Sequence, residues 1–85
     1  MSDTVTVTVK LFAAYQEAYG ASELTWTFPV GTPVASVLDR CVDEHPELQA
    51  WRALTRFGIN LQFVSPDTRL KEGDEVVLIP PVSGG

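Results

Sequence analysis

Residues 75–85 read Glu-Val-Val-Leu-Ile-Pro-Pro-Val-Ser-Gly-Gly, and this stretch decides how the rest of the chain must be arranged. All four residues of Val76–Ile79 are apolar, so an extended strand here has two apolar faces. A strand of that kind usually lies in the middle of a sheet. Proline lacks the N–H that an interior ladder needs, so Pro80-Pro81 should end the strand near Ile79.

Residues 80–85 are therefore predicted to form a flexible tail on a single domain made by residues 1–79. Pro80-Pro81 stiffens the base of this tail toward the polyproline conformation, whereas Gly84-Gly85 leaves its tip thin and conformationally free. A frayed terminus is the ordinary alternative. A stiff base with a thin tip instead suits a chain end that carries its carboxylate through a narrow channel into another protein's active site.

The N-terminal part of the chain predicts two strands joined by a short helix. Residues 4–12 alternate, with Val5, Val7, Val9 and Leu11 on the face predicted to be core. Residues 13–19 favour a short helix that Gly20 ends. Residues 23–28 alternate again and predict a second strand. Its apolar face is made by Leu24, Trp26 and Phe28.

Residues 32–45 predict the main helix. Thr32 is the expected N-cap and Pro33 the first helical residue, because this pair is a common helix-start signal. Pro46 should stop the helix at about His45. One stripe of the helix is apolar and should lie across the sheet. That stripe consists of Val34, Val37, Leu38, Cys41 and Val42.

The next segment predicts a small cap and two short strands. Residues 47–54 should form a short helix or turn whose apolar side covers the core. That side carries Leu48, Trp51 and Leu54. Residues 57–61 predict a strand, and after a bend residues 63–64 predict another. Residues 65–68 favour a turn.

These elements predict an α+β fold with a mixed sheet of about four to five strands packed on one main helix. Leu70 should pack inward, and Gly73 should adopt a positive φ in the turn before the last strand. The last strand should lie next to the first.

Composition narrows the possible partners. The chain has 85 residues, a formal charge of −5 and a pI near 4.5, which argues against nucleic acid and against an anionic membrane surface. A partner with a basic surface is favoured instead. Cys41 is the only cysteine, so no disulfide can form within the chain, which fits a cytoplasmic location. The first residues lack the basic segment and the apolar run of a signal peptide, so we expect none, and we find no apolar run of about 20 residues that would predict a membrane span.

The residue types that usually carry chemistry are sparse. His45 is the only histidine and is expected to cap the helix end or meet solvent, and Cys41 is expected to be a buried structural thiol. We therefore predict no metal site and no bound cofactor. Asp67 and the acidic residues of Glu72–Glu75 are interpreted as solvated turn residues. The parts of a self-contained active site are missing.

Three apolar residues are out of place in an isolated monomer. Phe12 falls on the polar face of the first strand, Phe63 follows a polar residue at a bend, and Ile79 lies on the second face of the last strand. If the two strands are neighbours, Phe12 and Ile79 form one patch at the root of the tail, which would mark a partner site. Scattered exposed apolar residues are the ordinary alternative.

The ending Gly73-Asp-Glu-Val-Val-Leu-Ile-Pro-Pro-Val-Ser-Gly-Gly85 resembles that of the small subunits of molybdopterin synthase, the MoaD-type sulfur carriers with a ubiquitin-like β-grasp fold. The segments Val9–Ala13 and Leu70–Asp74 are similar to the same family. By position, Phe12, Phe63 and Ile79 resemble the hydrophobic contact surface of the family, together with Pro80 and Pro81. The family also has an aromatic residue at the position that Ile79 occupies in this chain.

The resemblance implies a sulfur-carrying protein that is not an enzyme alone. A MoeB-type, ubiquitin-activating-like adenylyltransferase would use ATP to adenylate Gly85, and a sulfurtransferase would supply sulfur for a C-terminal thiocarboxylate. Val82, Ser83 and Gly84 would thread the channel of the large, MoaE-type catalytic subunit. Sulfur would then pass to cyclic pyranopterin monophosphate and build the dithiolene of molybdopterin, in a heterotetramer with two small subunits.

Two other functions are compatible with this fold and ending. One is a sulfur carrier for thiamine synthesis or tRNA thiolation, although the thiamine carriers are usually shorter and lack the Pro-Pro-Val-x-Gly-Gly ending. The other is a ubiquitin-like modifier joined to target lysines, or an interaction domain that never reacts.

Overall fold

The computed structural model describes residues 3–81 and contains one five-stranded mixed sheet. The strands are β1 (Thr4–Lys10), β2 (Glu23–Pro29), β3 (Arg56–Ile59), β4 (Gln62–Val64) and β5 (Glu75–Ile79). Their order across the sheet is β2-β1-β5-β3-β4. β5 runs parallel to β1, and the other neighbouring strands are antiparallel. The predicted central position of the last strand beside the first is confirmed.

Three helical segments complete the fold: α1 (Ala13–Tyr19), α2 (Ala35–Glu44) and a 3₁₀ helix (Pro46–Leu54). α1 ends at Gly20, whose φ of 64° places it in the left-handed region that favours glycine. α2 ends before Pro46, as predicted. The predicted α+β class is confirmed, and a mixed sheet packed on one main helix is the β-grasp arrangement.

The core lies between one face of the sheet and the apolar stripe of α2. Val76 and Leu78 of β5 are fully buried, and the predicted core face of β1 is buried as well. The predicted stripe of α2 is confirmed, since Val34, Val37, Leu38, Cys41 and Val42 are all buried. Leu70 is also buried, and Gly73 has a φ of 82°, as predicted.

The predicted cap of α2 is wrong. α2 begins at Ala35, and the Thr32 hydroxyl donates to the carbonyl of Pro29 (2.6 Å) instead of accepting from the helix. The N–H groups of Val34 and Ala35 donate to carbonyls of the 65–70 segment, at 2.7 and 3.0 Å. Backbone from a distant part of the chain satisfies the start of the helix, so no side-chain cap is needed.

The 3₁₀ helix covers the core with fewer residues than predicted. Leu48 is buried, whereas Trp51 and Leu54 are exposed. In a 3₁₀ helix, residues three apart are eclipsed on one side, but only the first turn of this one lies against the core. The buried hydroxyls of Tyr15 and Thr55 hydrogen bond with each other at the end of this segment.

Within residues 3–81, none of the helices is both long enough and apolar enough to cross a bilayer.

We expect Leu78→Ala to lower the free energy of unfolding by about 2–5 kcal/mol, because it leaves a cavity in the central strand. Val30→Ala is the matched control: Val30 is 61% exposed beside the start of β1, so its truncation should change stability by no more than about 0.5 kcal/mol. Urea unfolding of both variants checks this, and equal losses would contradict the placement of Leu78 in the core.

Candidate functional site

The predicted tail is only partly covered by the structure. Val82, Ser83, Gly84 and Gly85 lie outside the described residues, so the predictions made for them stay predictions. Pro80 and Pro81 follow β5 directly, are half-buried and do not join the sheet. The surface that can be described is therefore the root of the tail and its surroundings.

One row of residues crosses the sheet on the face opposite the core. Strand register places Glu23, Lys10, Val77, Gly58 and Phe63 directly beside one another, from β2 to β4. Directly paired residues project to the same face of a sheet. The row is charged at its β2 end and apolar at its β4 end, with a glycine between two apolar side chains.

A hollow of about 500 Å³ opens on this face beside the root of the tail. Its apolar lining brings together Phe12, Phe63 and Ile79, the three residues that the sequence marked as out of place. Phe12 is 51% exposed and Phe63 is 73% exposed, while Ile79 is half-buried. Val77, Leu61 and Leu11 also belong to the apolar lining. The partner role predicted for this surface remains a prediction.

Phe12 lines the hollow from a position just after β1. The strand is shorter than the predicted 4–12. β1 ends at Lys10, and Phe12 immediately precedes α1 with extended backbone (φ −133°, ψ 154°). Its backbone carbonyl accepts from the N–H of Tyr15 at the start of α1 (3.1 Å). The backbone of Phe12 is thus held between β1 and α1, and its side chain lines the hollow together with Ile79 of β5.

Gly58 forms the floor of the hollow because it has no side chain. A Cβ atom at this position would lie 3.5 Å from the backbone oxygen of Gln62, 3.7 Å from Cδ1 of Ile79 and 3.8 Å from Cβ of Val77. These are ordinary contact distances, so the fold itself does not require glycine here. A larger side chain would instead occupy the space above the floor, which makes Gly58 a determinant of the depth of the hollow.

The polar end of the hollow carries an excess of negative charge. Lys10 Nζ donates to Glu23 Oε1 at 2.8 Å, and Glu75 lies on the same rim. The hydrogen bond to Glu23 and its negative charge raise the pKa of Lys10, and Glu75 adds to the effect. Lys10 therefore stays charged at neutral pH, and two carboxylates surround one ammonium.

The β3–β4 turn forms one wall of the hollow. The predicted strand over residues 57–61 ends at Ile59, and Asn60-Leu61 forms a two-residue turn to Gln62. Both turn residues have positive φ, 50° for Asn60 and 70° for Leu61. This is the conformation of a type I′ hairpin turn.

Hydrogen bonds tie this turn to the beginning of β5. The N–H of Asn60 donates to the carbonyl of Glu75 (2.9 Å), and the N–H of Glu75 donates to Asn60 Oδ1 (3.0 Å). The side-chain amide of Asn60 also donates to Asp74 Oδ1 (3.1 Å), and the N–H of Lys71 donates to Asp74 Oδ2 (2.8 Å). Asp74 is buried, so its interpretation as a solvated turn residue is wrong.

Sequence reasoning missed Gly58, Val77 and Leu61 as parts of this surface. Nothing in the sequence marks Gly58 as part of this surface, because the effect of its missing side chain depends on which residues lie beside it in the sheet. The second apolar face of β5 is evident from the sequence, but Val77 cannot be placed on this surface without the position of β3. Leu61 had a weak signal, since leucine is an unusual residue to follow Asn at a hairpin tip.

The other residues considered for chemistry play structural parts. Cys41 is buried as predicted, and burial raises the pKa of its thiol to about 11. His45 packs edge-to-face on Tyr19 with ring centroids 4.4 Å apart, and its Nδ1 lies 3.6 Å from Glu47 Oε2. In the part of the chain that the structure describes, no group of three or more His, Cys, Asp or Glu side chains could hold a metal ion.

Comparisons with known proteins agree over nearly the whole chain. A model of the ThiS family matches residues 9–85. A protein of Chlamydomonas reinhardtii named molybdopterin synthase sulfur carrier subunit is 35% identical over 81 residues, which cover 93% of this chain and 98% of that protein.

Two of the solved structures with the same fold have different names. A Pyrococcus furiosus protein described as putative molybdopterin converting factor, subunit 1, superposes with a TM-score of 0.77 and 28% identity, over 92% of this chain and 99% of that one. The small archaeal modifier protein 1 of Methanosarcina acetivorans superposes with a TM-score of 0.75 and 30% identity, over 99% and 100% of the two chains.

The turn at Asn60 allows a test that separates its hydrogen bonds from its backbone conformation. We expect Asn60→Ala to lower the free energy of unfolding by about 1–3 kcal/mol, because buried Asp74 and the N–H of Glu75 lose partners. Asn60→Gly loses the same side-chain bonds but tolerates the positive φ, so it should cost about 1 kcal/mol less. Urea unfolding measures both, and equal costs would show that the left-handed backbone carries no strain.

Proposed function

We propose that this chain, which belongs to the ThiS family, is the sulfur carrier subunit of a molybdopterin synthase. The observation that carries the proposal is the similarity to a sulfur carrier subunit along 98% of that protein's length. The sequence Pro80-Pro-Val-Ser-Gly-Gly85, which follows a central strand, supports the same role, since its last residues are small enough to enter the active site of another protein.

The chemistry takes place at the carboxylate of Gly85. A carboxylate is a poor acyl donor until one oxygen becomes part of a good leaving group. An ATP-dependent activating enzyme of the MoeB type attaches AMP to this oxygen and releases pyrophosphate. The outer sulfur of a persulfide on a sulfurtransferase then displaces AMP and forms an acyl disulfide with Gly85. A thiol reduces this disulfide, so that Gly85 ends in a thiocarboxylate and the two remaining sulfur atoms form a new disulfide. ATP is a substrate of the activating enzyme, and the carrier itself needs no bound cofactor.

The thiocarboxylate delivers its sulfur inside the large, MoaE-type catalytic subunit, to cyclic pyranopterin monophosphate. Val82, Ser83 and Gly84 thread the channel because their small side chains keep the chain thin. The carrier contributes the sulfur, its presentation and the docking surface, so it is not catalytic alone. We place these steps in the cytoplasm.

The hollow at the root of the tail is the proposed docking surface for the large subunit. The four residues beyond Pro81 span at most about 13–14 Å even when fully extended. A catalytic pocket that receives Gly85 must therefore come close to the surface around Pro81, which includes Ile79 and the hollow. Phe12, Phe63 and Ile79 supply apolar area for this contact.

A ubiquitin-like modifier is the second candidate, because the Methanosarcina relative of known structure is named a modifier protein. Such a role would also require an activated C-terminus, but the acyl group would pass to a lysine amine. The two functions differ in the product: a thiocarboxylated free chain in one case and an isopeptide conjugate in the other.

The first test is the intact mass of the chain after incubation with the activating enzyme, a sulfurtransferase, a sulfur source, a thiol reductant and ATP. The expected mass gain is the difference between a sulfur and an oxygen atom, and deletion of Gly85 should abolish the transfer of sulfur to the pterin. The deletion should leave the urea midpoint unchanged, because the tail contributes no predicted core residue. An unmodified chain, or lysine-linked conjugates in its place, would contradict the proposal.

A second test addresses the docking surface. We expect Phe12→Asp to weaken binding of the large subunit at least tenfold, because it places a charge against apolar partner surface. Its effect on stability should be small, since Phe12 is half exposed. Val30→Asp is the matched control at the opposite end of β1. Titration calorimetry that shows equal affinity for both variants would remove the hollow from the proposed interface.

A further inference from the structure

Leu61 has a backbone conformation that its side chain disfavours. Its φ of 70° follows a φ of 50° at Asn60, in a two-residue turn between Ile59 and Gln62. Turns of this type prefer Asn-Gly, because the Cβ atom of other residues crowds the following carbonyl oxygen when φ is positive. Asn60 agrees with the preference, whereas Leu61 stands where glycine is expected.

No contact within the described part of the fold compensates for this conformation. Leu61 is 90% exposed, the largest exposure among the large apolar side chains that the structure describes as exposed. A leucine that is both strained and exposed is unfavourable for stability and for solubility. Strained residues of this kind concentrate at functional sites, where the surrounding structure holds them in place.

The surrounding structure does hold Leu61 in place. The reciprocal backbone and side-chain bonds between Asn60 and Glu75 fix the turn to the start of β5, and buried Asp74 anchors the amide of Asn60. Leu61 is therefore presented by a rigid turn, and little conformational freedom of the backbone is left to lose on binding.

The position of Leu61 identifies what it faces. It lines the same hollow as Phe12, Phe63 and Ile79. The hollow extends along β5 from Ile79, at the root of the tail, to Leu61, beside the start of the strand. The chain beyond Pro81 reaches at most about 13–14 Å, so the protein that accepts the tail must come close to the Ile79 end of the hollow. If that protein fills the hollow, it meets Leu61 at the other end, and the contact there is apolar.

We propose that Leu61 is a specificity-determining residue, which the strained turn presents to an apolar pocket of the protein that accepts the tail. This inference rests on the proposed function, which identifies that protein as the large subunit of molybdopterin synthase.

The test is Leu61→Gly, for which stability and binding should change in opposite directions. Removing the strain should raise the melting temperature by about 2–6 °C. Loss of a leucine side chain buried in the complex should weaken binding of the large subunit about tenfold or more. Leu61→Asn, which tolerates positive φ but is polar, should weaken binding without lowering the melting temperature. Leu61→Met keeps apolar area and should bind within about threefold of the natural chain.

Titration of the large subunit encoded by the same genome, with each full-length variant, distinguishes the outcomes. Val30→Ala is the matched control for loss of exposed aliphatic area, and its affinity should equal that of the natural chain. Unchanged affinity of Leu61→Gly, with normal binding by the natural chain, would overturn the role of Leu61 and leave the proposed function intact.

Failure of the natural chain itself to bind would overturn the proposed function and this inference with it. A dimer of the free chain that dissociates on Leu61→Gly, with unchanged binding of the large subunit, would also overturn the proposal, because the leucine would then serve contact between copies.

Discussion

The structure depends on the position of β5 between β1 and β3. Its inward residues, Val76 and Leu78, are completely buried, so the strand cannot move without opening the core. Its outward residues, Val77 and Ile79, line the hollow, and the next two residues are the prolines at the root of the tail. One strand therefore joins the most stable part of the molecule to the part proposed to react. Proline ends the ladder where the tail must leave the sheet.

Local sequence patterns predicted much of this arrangement, because alternation and helical spacing are properties of neighbouring residues. The buried faces of β1 and α2, the left-handed Gly73 and the central β5 were all recognisable in this way. The errors have a common cause, which is interaction between distant segments. Thr32 does not cap α2 because carbonyls of the 65–70 segment accept the hydrogen bonds from the N–H groups at the start of this helix. Asp74 is buried because the side-chain amide of Asn60, 14 residues away in sequence, donates to it in addition to the N–H of Lys71.

The candidate site was predictable only in outline for the same reason. Phe12, Phe63 and Ile79 could be identified as apolar residues out of place, and the structure brings all three to one hollow. The depth of that hollow depends on Gly58, whose missing side chain becomes meaningful only when Val77 and Phe63 are placed on either side of it. The residues of the predicted tail beyond Pro81 lie outside the described structure, so their part of the site rests on sequence and family.

The short tail has a consequence for how the proposed carrier works. In the proposed function, two different proteins each bring a catalytic pocket within about 13–14 Å of Pro81, first to activate Gly85 and then to receive its sulfur. Both would then approach the surface around Pro81, and they could not bind it at the same time. A carrier that exchanges partners needs an interface that is specific but of moderate affinity. The first partner must dissociate before the second can bind, and every tenfold gain in affinity for the first makes that dissociation less favourable. An open hollow of modest area, with a few apolar residues on rigid elements, meets this requirement better than a large interface. The small contact limits the affinity, and the fixed positions of its side chains preserve selectivity between partners.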